Sequence, residues 1–71
     1  MIIFSNTPIE NGYCIGLSIE NKFYEDINDW CIDNDVKNYN PEQGRWRFFL
    51  IMMISENQYA LFMLKFGHYI E

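Results

Sequence analysis

Cations are scarce in this chain: five Lys and Arg stand against ten Asp and Glu, for a net charge of −5 over 71 residues. Binding to nucleic-acid backbones needs clustered cations that displace counterions, and docking on anionic membranes needs the same. The balance argues against both as direct partners and suits a basic surface on another protein. Cysteine is scarce too. Cys14 and Cys31 are the only two, whereas disulfide-built secreted domains of this size carry more. No basic segment precedes an apolar run at the N-terminus, so no signal peptide is expected. These features together predict a reduced, cytoplasmic protein. Chemistry-bearing motifs are missing as well. There is one histidine, His68, and no Cys-x-x-Cys, His-x-x-x-His or Gly-x-Ser-x-Gly, so zinc sites and nucleophilic triads lack their minimum parts. Cys14 and Cys31 read as small buried hydrophobes. Asp33 and Asp35, followed by Asn38, Asn40 and Glu42, fall short of a calcium loop: Asn38 occupies the glycine position and Gly44 the closing glutamate position. No catalytic residue, metal ligand set or cofactor site is expected, and the chain reads as non-enzymatic.

What is present is apolar bulk. Hydrophobic residues make up 49% of the chain and aromatics 18%, a composition that folds. The whole of 1–71 reads as one domain without linker or repeat. A chain this short buries only about 60% of its unfolded surface, so its net stability is small.

Met1 to Ser5 is a short apolar start that Asn6-Thr7-Pro8 breaks, and Asn11-Gly12 is a turn dipeptide of the hairpin type. From Tyr13 the pattern alternates: Tyr13, Ile15, Leu17 and Ile19 point one way, and Cys14, Gly16 and Ser18 the other. That is a half-buried strand. The small residues of its second face leave room for another element or a partner to approach closely. Asn21 is a suitable N-cap for a helix from Lys22 to about Ile32. Phe23, Ile27, Trp30 and Cys31 share one helical face, and Glu25, Asp26, Asp29 and Asp33 fall on the other side. Residues 37–44 read as a polar loop.

The segment 46–66 holds two apolar stretches back to back. A strand opening at Arg45 or Trp46 has Trp46, Phe48, Leu50, Met52 and Ile54 on one face and Arg47, Phe49, Ile51 and Met53 on the other. A strand apolar on both faces belongs inside a sheet or at an interface. Ser55-Glu56-Asn57-Gln58 reads as a capping box, opening a helix of about Glu56–Phe66 that Gly67 closes. Glu56, Asn57 and Gln58 would sit together at mid-bilayer if this segment spanned a membrane, so it is read as part of a globular domain. His68 to Glu71 adds a short edge strand or frays. The predicted fold is α+β, a small and mostly antiparallel sheet of three or four strands with two helices packed on one face, in the order β-β-α-β-α.

The stretch Ala60-Leu61-Phe62-Met63-Leu64-Lys65-Phe66-Gly67, following the apolar strand from Trp46, resembles the end of many short bacteriophage-encoded accessory proteins. Those often close with an apolar strand, a polar turn and a helix of the form Ala-x-x-Phe-Lys-Leu-x-Phe/Trp-Gly. Ala60, Phe62, Leu64, Phe66 and Gly67 are compatible in kind, while Met63 stands at the lysine position and Lys65 follows Leu64. The resemblance covers the last third of the chain. It implies a viral accessory protein, and products of that kind often bind a host enzyme or defence complex.

Two candidate surfaces follow. The carboxylates Glu25, Asp26, Asp29 and Asp33 form an acidic helix face, which either is simply solvated or mimics phosphates spaced along a nucleic-acid strand. The aromatic residues Trp46, Phe49, Phe62 and Phe66 are candidates for an apolar partner or oligomer contact. Trp46 lies between Arg45 and Arg47, a patch that either stacks a base or pairs with the acids of the first helix. The leading expectation is stoichiometric binding to a host or defence protein with a basic surface, by a chain that also self-associates. The alternatives are a structural homo-oligomeric subunit of a larger assembly and, third, a nucleic-acid-binding module.

Overall fold

A computed structural model describes residues 2–70, with Asn40 and Pro41 described by backbone alone. The chain runs β1 (Ile3–Ile9), β2 (Gly12–Glu20), α1 (Asn21–Asp33), β3 (Asn38–Gln43), β4 (Arg47–Ser55), α2 (Glu56–Phe66) and a short 3-10 turn at Gly67–Tyr69. The sheet is antiparallel throughout, in the order β1-β2-β4-β3, and both helices pack on one of its faces. The fold is α+β as expected. The element order gains a strand.

That strand is β3. The sequence pattern gives residues 37–44 as a polar loop, yet Asn38 and Tyr39 pair with Met52 and Ile51, and Glu42 and Gln43 pair with Phe49 and Phe48. The register shifts between Tyr39 and Glu42, so β3 is a bulged edge strand. Pro41 falls inside the shift, where its missing N–H interrupts no regular ladder. β1 likewise continues through Pro8 to Ile9, because an edge strand tolerates a proline. The hairpin turn is Glu10–Asn11, with Asn11 at φ 66°. Gly12 already belongs to β2, and a Cβ there would collide with the Ile54 carbonyl.

β2 passes into α1 without a loop. Asn21 is the first helical residue, not its cap, and Glu20 at the cap position makes no side-chain capping bond. The Asn21 N–H instead donates to the Trp46 carbonyl at 3.3 Å, so the chain before β4 supplies a partner that a capping side chain would otherwise provide. At the far end, Asp35 takes a left-handed conformation (φ 55°). The Val36 N–H then reaches the Cys31 carbonyl at 2.8 Å and the Asp35 N–H the Ile32 carbonyl at 3.3 Å, a Schellman closure.

The capping box of α2 forms as read. Ser55 Oγ accepts from the Gln58 N–H at 3.1 Å, and Gln58 Oε1 accepts from the Ser55 N–H at 2.8 Å. Gln58 Nε2 also donates to the Asn34 carbonyl at 2.9 Å, tying the start of α2 to the end of α1. Gly67 is right-handed and passes into the 3-10 turn instead of reversing the chain. Ile70 then makes a single parallel bridge with Ile2. Glu71, at the end of the expected edge strand, lies outside the described residues.

The core lies between the sheet and the helices. Ile15, Leu17 and Ile19 from β2 and Leu50, Met52 and Ile54 from β4 meet Ile27, Trp30 and Cys31 from α1 and Phe62 and Phe66 from α2. Trp30 packs edge-on against Phe62, with ring centroids 5.3 Å apart, and Phe62 lies 5.1 Å from Phe66. Tyr24 stacks on Phe48 at 3.9 Å, closing the outer side of α1 on the sheet.

The two tryptophans are placed oppositely: Trp30 is 5% exposed and Trp46 is 72% exposed, ahead of β4 and not within it. Truncating Trp30 to Ala empties the centre of the aromatic cluster and is expected to cost about 3–5 kcal/mol, enough to unfold much of a domain this small. Trp46→Ala is expected to shift stability by less than about 0.5 kcal/mol. Paired circular dichroism melts of the two variants check this, and equal losses would place Trp46 in the core.

Candidate functional site

The two faces of the sheet differ completely. Helices cover one. On the other, cross-strand neighbours line up in rows: Ile3, Ser18, Phe49 and Glu42; then Ser5, Gly16, Ile51 and Tyr39; then Thr7, Cys14 and Met53. No element of the described chain lies over these rows. Phe49 is 50% exposed, Ile51 42% and Met53 53%. β4 thus presents a ridge of large apolar side chains, and β2 beside it presents a trough of Cys14, Gly16 and Ser18. A hollow of about 490 Å³ lies over the trough, bounded by Ile3 and Ser5 on one side and Phe49 and Ile51 on the other.

Charge is confined to the margins of this face. Arg47 is held at one end, where Nε donates to Ser18 Oγ at 2.8 Å and an Nη donates to the Ser18 carbonyl at 2.7 Å. That geometry ties the arginine to β2. Arg45 lies with its guanidinium 5.2 Å from the centre of the Trp46 ring, so the cationic-aromatic patch is stacked on itself.

The second candidate surface is on α1, on the far side of the molecule. Glu25, Asp26, Asp29 and Asp33 are all exposed. Asp26, Asp29 and Asp33 line a hollow of about 460 Å³ whose other wall is Lys65, Phe66 and Tyr69. Among the described residues none of the four forms a salt bridge; the ion pair found there is Lys22 with Glu20, at 3.8 Å.

The four apolar candidates separate. Trp46 and Phe49 are at the surface. Phe62 and Phe66 are not: they are core residues, and the expectation that they touch a partner is corrected. The pattern makes α2 apolar nearly all round, but α1 and the sheet together enclose more of it than one sheet face would. Tyr59 is covered by Tyr13, 4.4 Å between ring centroids, and its hydroxyl accepts from Asn6 Nδ2 at 3.1 Å. Exposed on α2 are Leu61 and Leu64. The sequence signal that does identify the open face is the alternation of β2, with small residues opposite an apolar row.

The two cysteines fall on opposite faces. Cys14 is partly exposed in the trough and Cys31 is buried. Burial pushes the Cys31 thiol up to about 11, against a smaller downward pull from its hydrogen bond to Asn38 Oδ1 at 3.4 Å. Its other contact is Met52 Sδ at 3.3 Å. Among the described residues no group of three or more His, Cys, Asp or Glu is placed to hold a metal ion, and no helix is long and apolar enough to cross a membrane. Comparison with protein-family models, with curated proteins and with solved structures gives no match to this chain.

A thiol whose pKa rises on folding holds its proton more tightly in the native state than in the unfolded chain. Its contribution to stability is complete below the ordinary thiol range, near about 8.5, and is lost as pH climbs toward about 11. Urea unfolding of wild type and Cys31→Ala across this window is expected to show a steeper loss in the wild type. Parallel slopes would show that Cys31 titrates as it does in the unfolded chain.

Proposed function

We propose that this chain is a phage-type accessory protein without chemistry of its own, acting by stoichiometric binding of a host or defence protein through the acidic face of α1. The observation that carries the reading is the placement of Glu25, Asp26, Asp29 and Asp33, all exposed on one helix, on the side of the molecule away from the sheet face. Carboxylates three and seven residues apart on a helix stand in a row, and a row of exposed acids attracts a basic groove and speeds its approach. The likeness of Ala60–Gly67 to the ends of short phage proteins supports the biological setting. A second reading, a structural homo-oligomeric subunit, is favoured by the uncovered apolar rows of the sheet.

Replacing Asp26, Asp29 and Asp33 together by Asn is expected to leave the thermal melt within about 0.5 kcal/mol of wild type, as for other exposed sites. The same change is expected to abolish capture of the partner from a lysate of the cells in which the chain is made. Capture by the wild type is expected to weaken with added salt, since exposed charges are screened over about 8–10 Å. A partner retained equally by the triple variant would return the acids to the role of a solvated face.

A further inference from the structure

We infer that the open sheet face is the docking site for a second copy of this chain, packed face to face about a two-fold axis that runs along the strands between β2 and β4. This interface lies on the other side of the molecule from the acidic helix and does not depend on that helix's role.

The argument begins with shape. Along the two central strands each large apolar outward residue of β4 has a small outward neighbour on β2: Phe49 beside Ser18, Ile51 beside Gly16, Met53 beside Cys14; beyond them Arg47 pairs with Glu20 and closes the end of the row. β2 and β4 are also the two middle strands of four. A two-fold axis parallel to them and midway between them therefore lays each β4 over the partner's β2. Ridge enters trough twice, with Ile51 over Gly16 and Met53 over Cys14, while Phe49 meets the end of the trough where Arg47 is bonded to Ser18. An axis across the strands would set ridge on ridge, and it is excluded on packing grounds. The face is self-complementary in one arrangement, as an isologous dimer requires.

Area and charge agree. Strands of seven, nine, nine and six residues, at about 4.8 Å spacing and about 3.3 Å rise per residue, cover roughly 500 Å². Side chains standing above the sheet enlarge this toward the roughly 600 Å² per partner at the lower end of standard stable interfaces. Two chains of net charge −5 repel, but the three rows carry a single acid, Glu42 on the edge strand. Packing these faces together leaves both acidic helices outside, separated by two sheets about 10 Å apart and beyond a Debye length of about 8 Å. Hydrophobic association is thus concentrated where repulsion is least.

Two substitutions probe the geometry without touching the monomer core. Ile51→Lys places a charge on the ridge. Gly16→Val fills the trough, and within the monomer its Cβ meets only the movable Ser5 hydroxyl, at 2.8 Å. Sedimentation equilibrium of the intact chain at about 100 µM, above the micromolar weak end of interfaces of standard size, is expected to give twice 8.6 kDa. Ile51→Lys is expected to weaken association at least roughly 100-fold, because its ammonium would be buried unpaired. Gly16→Val is expected to weaken it about tenfold, and Gly16→Val with Ile51→Ala to recover most of that loss, since the two positions face each other across the axis. Circular dichroism melts confirm that each variant folds, and thiol labelling of wild-type Cys14 is expected to slow as concentration rises. A wild-type monomer at this concentration would overturn the inference and leave the face to a foreign chain. A dimer unaffected by Ile51→Lys would overturn it too, moving the contact to the β1 edge or to Leu61 and Leu64.

Discussion

Pairing of β2 with β4 is the constraint on which the other features depend. Its register sets Ile15 against Met52 and Leu17 against Leu50, and in the same stroke Gly16 against Ile51 and Ser18 against Phe49. One set of pairs becomes the core and the other the open face. Because strand side chains alternate with a period of two, a slip of one residue would exchange these sets, exposing Leu17 and driving Ser18 and Gly16 under the helices. Both ends of the register are pinned. At one, Arg47 grips Ser18 through its side chain and backbone carbonyl. At the other, Gly12 lies so close to Ile54 and Ser55 that only a residue without a side chain fits.

The helices exploit that register from one side. α1 grows directly from the end of β2, so its inward face is set by where β2 stops. The resulting stripe of Phe23, Ile27, Trp30 and Cys31 follows from helical spacing and was legible in the sequence, as was the capping box of α2, where Ser55 and Gln58 satisfy local backbone donors without outside help. Features decided by local chemistry could be read in advance.

Features decided by distant partners could not. β3 has no apolar alternation and holds its place mainly through backbone pairing with β4, so its sequence reads as a loop. The start of α1 is completed by the Trp46 carbonyl, from a segment twenty-five residues on, which no capping rule anticipates. Phe62 and Phe66 look like surface aromatics only if α2 is judged against the sheet alone; with Trp30 of α1 closing over them they are interior. The candidate acidic face was legible residue by residue, since exposed carboxylates on an amphipathic helix need nothing beyond periodicity. The open sheet face was legible only in half. The small residues of β2 pointed to close approach, but the strand order that puts them beside the β4 ridge is a long-range fact.

A sheet with helices on one side has a bare side to manage. Of two devices common in such sheets, polar outward residues and a second layer of helices, the second is missing among the described residues and the first is represented on the central strands by little beyond Ser18 and the terminal Arg47. The outward row of β4 is Phe49, Ile51 and Met53, more apolar than a solvated strand face needs to be, while its edges are guarded: Pro8 on β1 and the bulge in β3 both obstruct further strand pairing. Growth by adding strands is disfavoured and covering the face is favoured. In the inferred dimer, association runs perpendicular to the sheet, where an arrangement closed by a two-fold axis ends at two copies and cannot propagate into a fibre.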